Sequence, residues 1–484
     1  MKLPTLIIAI VLSSGFFNLF SQTKTELREL YDDAEYFFIR EDYNEAVYYY
    51  VQLLKYDPQN ANLNYKAGAC LLKIPGQETK AIPFLRKAVK DISANYNKRS
   101  FNERSAPLHS MYYLGNAYRI NNQIDEALEQ YNKFINSPDF YSNYNERIVR
   151  EEIKSCERAK IIKDHPIELN EINLGEKINT KTANYSAVVS GNEQVLVFIT
   201  TLKFYEGMFY CKKTEYGWSE PENINAQVVS DGDMFPTGLS YDGREMLLVK
   251  KSDVNNDIYY SRWIDGLWSK AELLSENINS RFNEDFASFS KDGSVIYFTS
   301  DRKGGQGGFD IYYSEKSGNI WGEAKNMGEV VNSPFNEASP FLTEDETKLY
   351  FSSDGHFNMG GYDIFYSELK NNVWETPVNA GFPLNTTSDN KFFVPIRNGK
   401  AGYMSLFRED GFGDLDIYKI VIGNDSTMKS DEVKKSLEKI DQENSIMLKL
   451  INENYNDTTI IWFNKNTNRF YFDVPKGIKV IFEE

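Results

Sequence analysis

The 484-residue sequence is poor in the residues that most enzyme and metal sites use. It has only three cysteines and three histidines, which are Cys70, Cys156, Cys211, His109, His165 and His356. None of them shows the spacing of a metal site, and no HExxH, GxSxG or GxxxxGK[ST] motif occurs. We therefore expect no catalytic residues, no metal and no cofactor, and we interpret the cysteines as core thiols. A disulfide between two of them stays open if the compartment is oxidising.

Basic charge is also scarce. Lys and Arg number 54 against 70 Asp and Glu, and the formal net charge is −16. Binding to nucleic acid or to anionic lipid needs a basic surface, so we exclude both partners. No segment after the first residues reaches the roughly 18 apolar residues that cross a bilayer, so no membrane span is expected. The chain nevertheless contains 32 Tyr and 32 Phe, a composition that argues for a folded protein.

The first 21 residues have the pattern of a secretory signal peptide. Lys2 is followed by an apolar run from Leu6 to Leu12, and the small residue Ser21 suits cleavage before Gln22. We expect an exported protein whose mature chain starts near Gln22. The segment contains no cysteine, so we do not expect a lipid anchor.

Residues 24–163 contain three helical repeats. In each repeat two small residues stand twelve or thirteen positions apart, and aromatic or large apolar residues follow. The small pairs are Ala34 and Ala46, Gly68 and Ala81, and Gly115 and Ala127. Small residues let two helices of a hairpin approach closely, and such hairpins stack into a solenoid. The charged stretch NYNERIVREEIKSCERAKII would form a capping helix.

This pattern of Gly or Ala, Tyr, Ala and Pro resembles the tetratricopeptide family. In that family the first helices of the hairpins line a groove that binds extended peptides. The resemblance places Tyr65, Tyr112, Asn116 and Arg119 in such a groove. The alternative is that some of these side chains pack against neighbouring helices or face water.

Residues 166–421 change to short alternating strands with a period of 53 residues. The triplets at Asp257, Asp310, Asp363 and Asp416 (DIY, DIY, DIF and DIY) each lie 53 residues after the one before. Three tryptophans and three asparagines keep the same spacing, namely Trp268, Trp321, Trp374, Asn279, Asn332 and Asn385. The third period, for example, reads as four strands with an Asp-Gly turn and a Gly-rich loop, which is typical of a propeller blade. With GMFYC as part of the first blade, we predict five blades.

The fifth blade lacks an outer strand led by tryptophan. The segment from Ile167 to Thr180 matches the outer end of the other periods, and we predict that it closes the ring by pairing with the fifth blade.

The four aspartates that open the triplets are expected to accept backbone N–H bonds and to fix the turn before the third strand. A calcium site between Asp301 and Asp310, or between Asp354 and Asp363, is the alternative.

The blade strings SDRKGGQGGFDIYYSEKSGNIWGEAKNMG and SSDGHFNMGGYDIFYSELKNNVWETPVNAG resemble the WD-like repeats of the periplasmic Tol-system propeller and its relatives. A charged linker at 422–445 leads to a β-rich end at 446–484. This end is similar to part of a carboxypeptidase-regulatory-like β-sandwich. The predicted fold class is thus multidomain, with an α-solenoid followed by a five-bladed β-propeller and a small β-rich piece.

Together these parts resemble a Gram-negative envelope family that includes the peptidoglycan-associated component of type IX secretion. This sequence contains neither the peptidoglycan-binding domain of that family nor its lipid-bearing cysteine. The resemblance therefore implies a periplasmic or outer-membrane-associated scaffold that binds envelope proteins or peptides, and it leaves the oligomeric state open. One alternative is a propeller that senses a glycan or peptide. A hydrolase that uses paired carboxylates on the propeller face is a third possibility.

Overall fold

The computed structural model describes residues 23–252 and 254–423, and beyond them the backbone of three strands. The predicted signal peptide and most of the predicted linker lie outside the described residues. The chain forms two compact units. The first contains the residues up to Tyr118 together with Glu129–Tyr144, and the second contains Arg119–Leu128 and the residues from Asn145 onward. The last long helix of the N-terminal part, residues 146–163, belongs to the unit that contains the β-strands.

The N-terminal part is helical. Its helices are α1 Lys24–Ile39, α2 Tyr43–Leu54, α3 Ala61–Leu71, α4 Ile82–Ala88, α5 Ser110–Ile120, α6 Ile124–Ile135, α7 Phe140–Asn143 and α8 Glu146–Lys163. A short parallel pair, β1 Ile92–Ser93 and β2 Ala106–Pro107, stands between α4 and α5. Capping explains the sharp start of α1, where the Thr23 hydroxyl accepts a bond from the Glu26 N–H and the Glu26 carboxylate accepts one from the Thr23 N–H.

Close helix packing depends on the small residues. A Cβ added to Gly68 would lie 2.5 Å from Cγ of Leu85, and one added to Gly115 would lie 2.5 Å from the Tyr131 ring. Ala34 and Ala46 are fully buried in the first hairpin. The helices therefore pair where the sequence pattern predicts, since any larger side chain at these positions would separate them.

Five antiparallel sheets follow, one for each blade. Blade one contains β4 Asn184–Val189, β5 Val195–Thr201, β6 Glu206–Thr214, β7 Gly217–Trp218 and β8 Glu222–Asn223, and a short helix α9 Asn225–Val228 follows it. Blade two contains β9 Met234–Leu239, β10 Glu245–Lys250, β11 Asp257–Ile264, β12 Leu267–Trp268 and β13 Glu272–Leu273. Blade three contains β14 Glu284–Phe289, β15 Val295–Ser300, β16 Asp310–Ser317, β17 Ile320–Trp321 and β18 Lys325–Asn326.

Blades four and five complete the ring. Blade four contains β19 Glu337–Leu342, β20 Lys348–Ser353, β21 Asp363–Lys370, β22 Val373–Trp374 and β23 Val378–Asn379. Blade five contains β24 Val394–Ile396, β25 Ala401–Leu406 and β26 Asp416–Ile422. In the first four blades the third strand pairs with both short outer strands, so the predicted fourth strand is split in two. With β3 Leu169–Asn173 these sheets form the predicted five-bladed β-propeller.

The ring closes as the sequence predicts. The outer strand of blade five is β3, which pairs antiparallel with β26 from Leu169↔Ile422 to Asn173↔Tyr418. The strand that precedes blade one in the chain therefore completes blade five. This pairing covers the backbone of a strand edge that would otherwise be open.

In each blade an asparagine side chain makes hydrogen bonds to the backbone of the third strand, as the backbone of a neighbouring strand would. Asn332 accepts a bond from the Ile311 N–H at 2.7 Å and donates one to the Ile311 carbonyl at 3.0 Å. Asn279, Asn385 and Asn179 make the same pair of bonds to Ile258, Ile364 and Ile417. In blade one Asn225 bonds the Met208 N–H and the Glu206 carbonyl. The periodic asparagines are therefore buried backbone clamps.

The C-terminal strands β27 Ser445–Asn452, β28 Asp457–Asn464 and β29 Ile478–Phe482 form an antiparallel sheet with β27 in the centre. The turns predicted between them lie outside the described residues. Within the described chain, no helix has both the length and the apolar character that a bilayer crossing requires.

Candidate functional site

One face of the propeller is built from the loops that join the second and third strands of the blades. We call it the Gly-loop face, and its loops span residues 202–205, 251–256, 301–309, 354–362 and 407–415. The first strand of a blade starts at this same end, because it runs antiparallel to the second strand. In blade three, for example, Asp285 near the start of β14 pairs with Thr299 near the end of β15.

Aromatic rings from blades three, four and five contact one another. The inner strand of blade three bulges after Asp285. Phe286 in this bulge and Phe392, which precedes β24, adopt left-handed backbone conformations, with φ of 45° and 60°. Their rings approach each other to 6.0 Å, although one belongs to blade three and the other to blade five. Phe341 of blade four packs edge-on against Phe392 at 5.7 Å. Bulges that redirect a side chain are common beside binding sites. The contacts bring together three rings from the first strands of the blades and the residues that precede them.

A mixed aromatic and polar group lies at the channel entrance on blades one to three. This mouth cluster consists of Tyr185, Phe235, Lys251, Asn256 and Asp285. The Tyr185 and Phe235 rings are 6.4 Å apart, and the Lys251 ammonium lies 4.6 Å from the Phe235 ring centre. Asn256 donates to Asp285 at 3.1 Å. The cluster thus offers an aromatic surface, a cation and a carboxylate within one small area.

Burial changes the acid–base properties of this cluster. It raises the pKa of Asp285 above the ordinary value of an aspartate, against the opposing effects of the Asn256 bond and the Lys251 charge. Burial also raises the pKa of the Tyr185 hydroxyl, and Glu206 adds to this effect. Tyr185 therefore remains a neutral phenol at physiological pH, suited to hydrogen bonding and not to nucleophilic attack.

The rim of the mouth is apolar on the first two blades. Phe204 on the blade-one loop is 86% exposed, and Val254 on the blade-two loop is 89% exposed. The first loop leads into Glu206 at the start of β6, which interacts with Tyr185. The second loop carries Lys251 and Asn256. Exposed apolar tips beside a polar cavity are typical of a binding surface.

Helix α8 covers the Gly-loop of blade four. Ser155 donates to the Gly360 carbonyl at 2.8 Å, and Arg158 donates to the His356 carbonyl at 2.9 Å and to the Asn358 side chain at 2.8 Å. The Arg147 guanidinium lies 4.8 Å from the Phe335 ring centre, beside an open pocket of about 460 Å³. Blade four is therefore masked by a helix, whereas the loop tips of blades one and two are accessible.

The residues predicted for the peptide groove have different surroundings. Tyr65 is buried and shares a hydrogen bond with the ring Nε2 of His109 at 2.7 Å. Tyr112 is half-buried beside the Tyr131 and Phe134 rings, and Asn116 accepts a bond from the Tyr131 hydroxyl at 2.7 Å.

The fourth residue, Arg119, is buried in the β unit. It donates to the Thr387 carbonyl and forms an ion pair with Glu152 at 3.2 Å. In this conformation neither Tyr65 nor Arg119 is open to a ligand.

The periodic aspartates are the first residues of the third strands. Asp310 accepts bonds from the Gln306 and Gly307 N–H groups, and Asp416 accepts bonds from those of Phe412 and Gly413. Asp363 accepts one such bond from Met359, while Asp257 is bonded to the Asn255 side chain.

The acids suggested for calcium have other partners. Asp301 accepts two bonds from Asn283, both of 2.8 Å. Asp354 does the same with Asn336, at 2.7 and 3.0 Å. Among the residues that the structure describes, no group of three or more Cys, His, Asp or Glu has the arrangement of a metal site.

The mouth cluster could not have been found from sequence spacing. Its members come from three blades and occupy positions where the repeat is not conserved from blade to blade. The position of Asp285 is occupied by Ala338 in blade four and by Lys391 in blade five. The only sequence signal is this departure from the repeat, since a position that merely maintains a blade would keep one residue type.

No protein-family model matches this sequence, and no curated protein does so either. Among solved structures, TolB from Acinetobacter baumannii is similar, with 14% identity, a TM-score of 0.33, and coverage of 50% of this chain and 55% of that one. A putative TolB from Agrobacterium tumefaciens has 15% identity, a TM-score of 0.32, and coverage of 52% and 78%. An α-L-arabinofuranosidase from Podospora anserina has 11% identity, a TM-score of 0.34, and coverage of 54% and 98%.

This chain thus spans only about half the length of the first of these proteins. The scores are too low to carry an argument about function, which has to come from the site itself.

Proposed function

We propose that this protein is a non-catalytic binding scaffold whose propeller mouth holds a segment of a partner protein. The observation that carries the proposal is the juxtaposition of the exposed tips Phe204 and Val254 with the mouth cluster. An extended peptide would place apolar side chains against the tips and hydrogen-bond donors against Asp285. Apolar anchors surrounded by polar contacts are the usual composition of a protein interface.

The setting of this function follows from the sequence pattern. The predicted signal peptide supports export to the periplasm or to the periplasmic face of the outer membrane. The helical repeats, interpreted as tetratricopeptide hairpins, support an adaptor with two binding domains. We propose an envelope assembly as the partner, with type IX secretion as one candidate system.

A non-enzymatic role agrees with the distribution of carboxylates. Of the five equivalent positions at the channel entrance, only Asp285 carries an acid. Its acidic neighbour Asp301 is committed to Asn283, and Glu284 is buried against Ser280, Ser300 and Arg302. Glycoside hydrolysis needs two carboxylates that both reach the substrate.

A small glycan or peptide is the second candidate ligand, favoured by the Tyr185 and Phe235 rings beside Asp285. Aromatic faces next to hydrogen-bonding groups suit such ligands. A saturable ligand of this kind would raise the melting temperature of the protein, and Asp285→Ala would abolish the increase.

Changing both rim residues to serine, Phe204→Ser with Val254→Ser, is expected to reduce capture of the partner at least tenfold. Each side chain is exposed, so the substitutions remove apolar contact area while leaving the core unchanged. The measurement is cross-linked affinity purification of the tagged full chain from its native envelope, with quantitative mass spectrometry of the proteins recovered.

The matched control is Ile320→Ser, which removes an apolar side chain that is 71% exposed on the outer edge of blade three. A photo-crosslinking benzoylphenylalanine at position 204 should also label the partner, whereas the same group at position 320 should not. Equal recovery from the rim variant and the control would contradict the proposed site. Recovery of no partner, together with a ligand that stabilises the protein through Asp285, would favour the second candidate.

A further inference from the structure

The loop between α4 and α5 folds back over the helical unit. Its two ends are joined where β1 pairs with β2, so residues 94–105 form a closed loop. Its own bonds hold the turn, with the Ser100 N–H donating to the Asn97 carbonyl and the Glu103 N–H donating to the Ser100 carbonyl. Closed loops of this length often have a function of their own.

This loop completes the burial of α3. Every residue of α3 is buried, although an amphipathic helix of a hairpin normally leaves one face open. The side chains of Asn97, Lys98 and Arg99 point to solvent, while the backbone of the loop turns inward. The face of α3 on which a ligand would lie is therefore already occupied by the chain itself.

Side chains of α1 and α3 bind this backbone. Lys66 donates to the Lys98 carbonyl at 3.3 Å, Tyr31 to the Ser100 carbonyl at 3.5 Å, and the Asn62 amide to the Glu103 carbonyl at 3.4 Å. The Asn62 N–H, in the first turn of α3, donates to the Arg104 carbonyl at 2.9 Å. These four donors bind main-chain carbonyls, which every extended peptide presents.

Two aromatic side chains of the loop insert between the helices. Phe101 packs edge-on against Tyr31 at 5.6 Å, and Tyr96 packs edge-on against Tyr65 at 6.3 Å. The Tyr96 hydroxyl also donates to the Asn62 side chain at 2.8 Å. Aromatic anchors and main-chain bonds together are how grooves hold extended peptides.

The floor of this surface is polar and internally paired. Lys66 forms a buried ion pair with Glu35, and the Tyr50 hydroxyl donates to the same carboxylate. A buried ion pair constrains the geometry of its members, so the Lys66 ammonium is held toward the loop.

We propose that α1 and α3 form a peptide-binding site that residues 94–105 keep occupied until an external peptide displaces them. The external ligand is an extended peptide with two aromatic residues that match Tyr96 and Phe101. Since this site lies wholly in the helical unit, it does not depend on the function proposed for the propeller mouth.

The test uses the full chain with residues 95–104 replaced by ten Gly and Ser residues, and a fluorescent peptide of sequence 94–105. The loop-replaced chain should bind this peptide at least tenfold more tightly than the wild type, because a tethered occupant reduces the apparent affinity. In the loop-replaced chain, Asn62→Ala should weaken binding at least fivefold. A peptide with alanine in place of both aromatic residues serves as the matched control and should not bind.

A second measurement uses the wild-type chain and does not require the replaced loop to be tolerated. Hydrogen–deuterium exchange of residues 97–104 should accelerate at saturating concentrations of the same peptide. Either of two results would overturn the proposal. One is a loop-replaced chain that is folded and binds no peptide. The other is unchanged exchange of the wild-type loop at peptide concentrations that saturate the proposed site.

Discussion

Replacing Asn332 by alanine is expected to lower the free energy of unfolding of the propeller by about 1.5–4.5 kcal/mol. The Asn332 side chain bonds both the N–H and the carbonyl of Ile311, and both residues are buried. Alanine would leave the buried Ile311 N–H without a partner, and such a loss costs about 1–3 kcal/mol. It would also remove one of two bonds to the Ile311 carbonyl, which keeps the bond from the Met327 N–H at 3.0 Å. The loss of that bond adds about 0.5–1.5 kcal/mol. The measurement is chemical denaturation followed by tryptophan fluorescence.

The matched control for this prediction is Asn319→Ala, which truncates an exposed asparagine of the same blade. Its effect should stay within about 0.5 kcal/mol, as is usual for surface positions. Asn385→Ala should resemble Asn332→Ala, because it removes the same clamp from blade four. If Asn332→Ala cost no more than the control, the clamp would not be a stabilising element of the repeat.

The free energy of unfolding of the wild type is expected to decrease as pH rises to alkaline values. Replacing Glu337 by glutamine should remove this decrease. Glu337 is fully buried, and this burial raises the pKa of its carboxyl to about 8. The folded state therefore keeps a proton up to about pH 8 that the unfolded state loses near pH 4 to 5. Since the folded state binds more protons in this window, stability decreases as pH rises through it and levels off above it.

Comparison with blade three explains why Glu337 is not neutralised by a cation. There the equivalent Glu284 pairs with Arg302 at 3.0 Å, and Arg302 also donates to the Ile278 carbonyl. In blade four the ring of His356 bonds the corresponding carbonyl of Val331 at 2.9 Å. Burial lowers the pKa of His356, so it carries no charge at neutral pH and cannot replace the guanidinium.

The measurement for Glu337 is the free energy of unfolding from pH 5 to pH 9 for the wild type and for Glu337→Gln. The variant should gain about 2–4 kcal/mol relative to the wild type between these limits, since one pKa unit corresponds to about 1.4 kcal/mol. Glu284→Gln is the matched control. It removes the partner of Arg302 and should destabilise the protein at neutral pH. Parallel pH profiles for the wild type and Glu337→Gln would show that Glu337 does not keep its proton in the fold.

The architecture of the blades was predictable because similar local sequence patterns recur from blade to blade. The 53-residue spacing, the Asp-Gly turns and the alternating strands each act within one blade, so one period suffices to recognise them. Closure by residues 167–180 was also predictable, since their sequence matches the outer end of other blades. The periodic asparagines were visible in the sequence as a series. Their role as backbone clamps was not, because it depends on where each amide lies relative to a strand twenty-one residues away.

The surroundings of the predicted groove residues depend on contacts between segments that are far apart in the sequence. The helical pattern placed Tyr65 on a helix, but it could not show that this side chain is buried or that residues 94–105 pack against the same helix. Arg119 has the sequence position of a groove residue, yet it bonds Thr387, 268 residues further along the chain. Pairings over such distances leave no periodic signal.

The sequence by itself determined the order of the parts, the number of blades and the strand that closes the ring, because these follow from local spacing and hydrophobic pattern. The tertiary structure decided which of the patterned residues are accessible. It brought Tyr185, Lys251 and Asp285 together from three blades, left Phe204 and Val254 in solvent, and attached α8 to the propeller. Burial and proximity arise only when distant segments pack, and both depend on the whole fold.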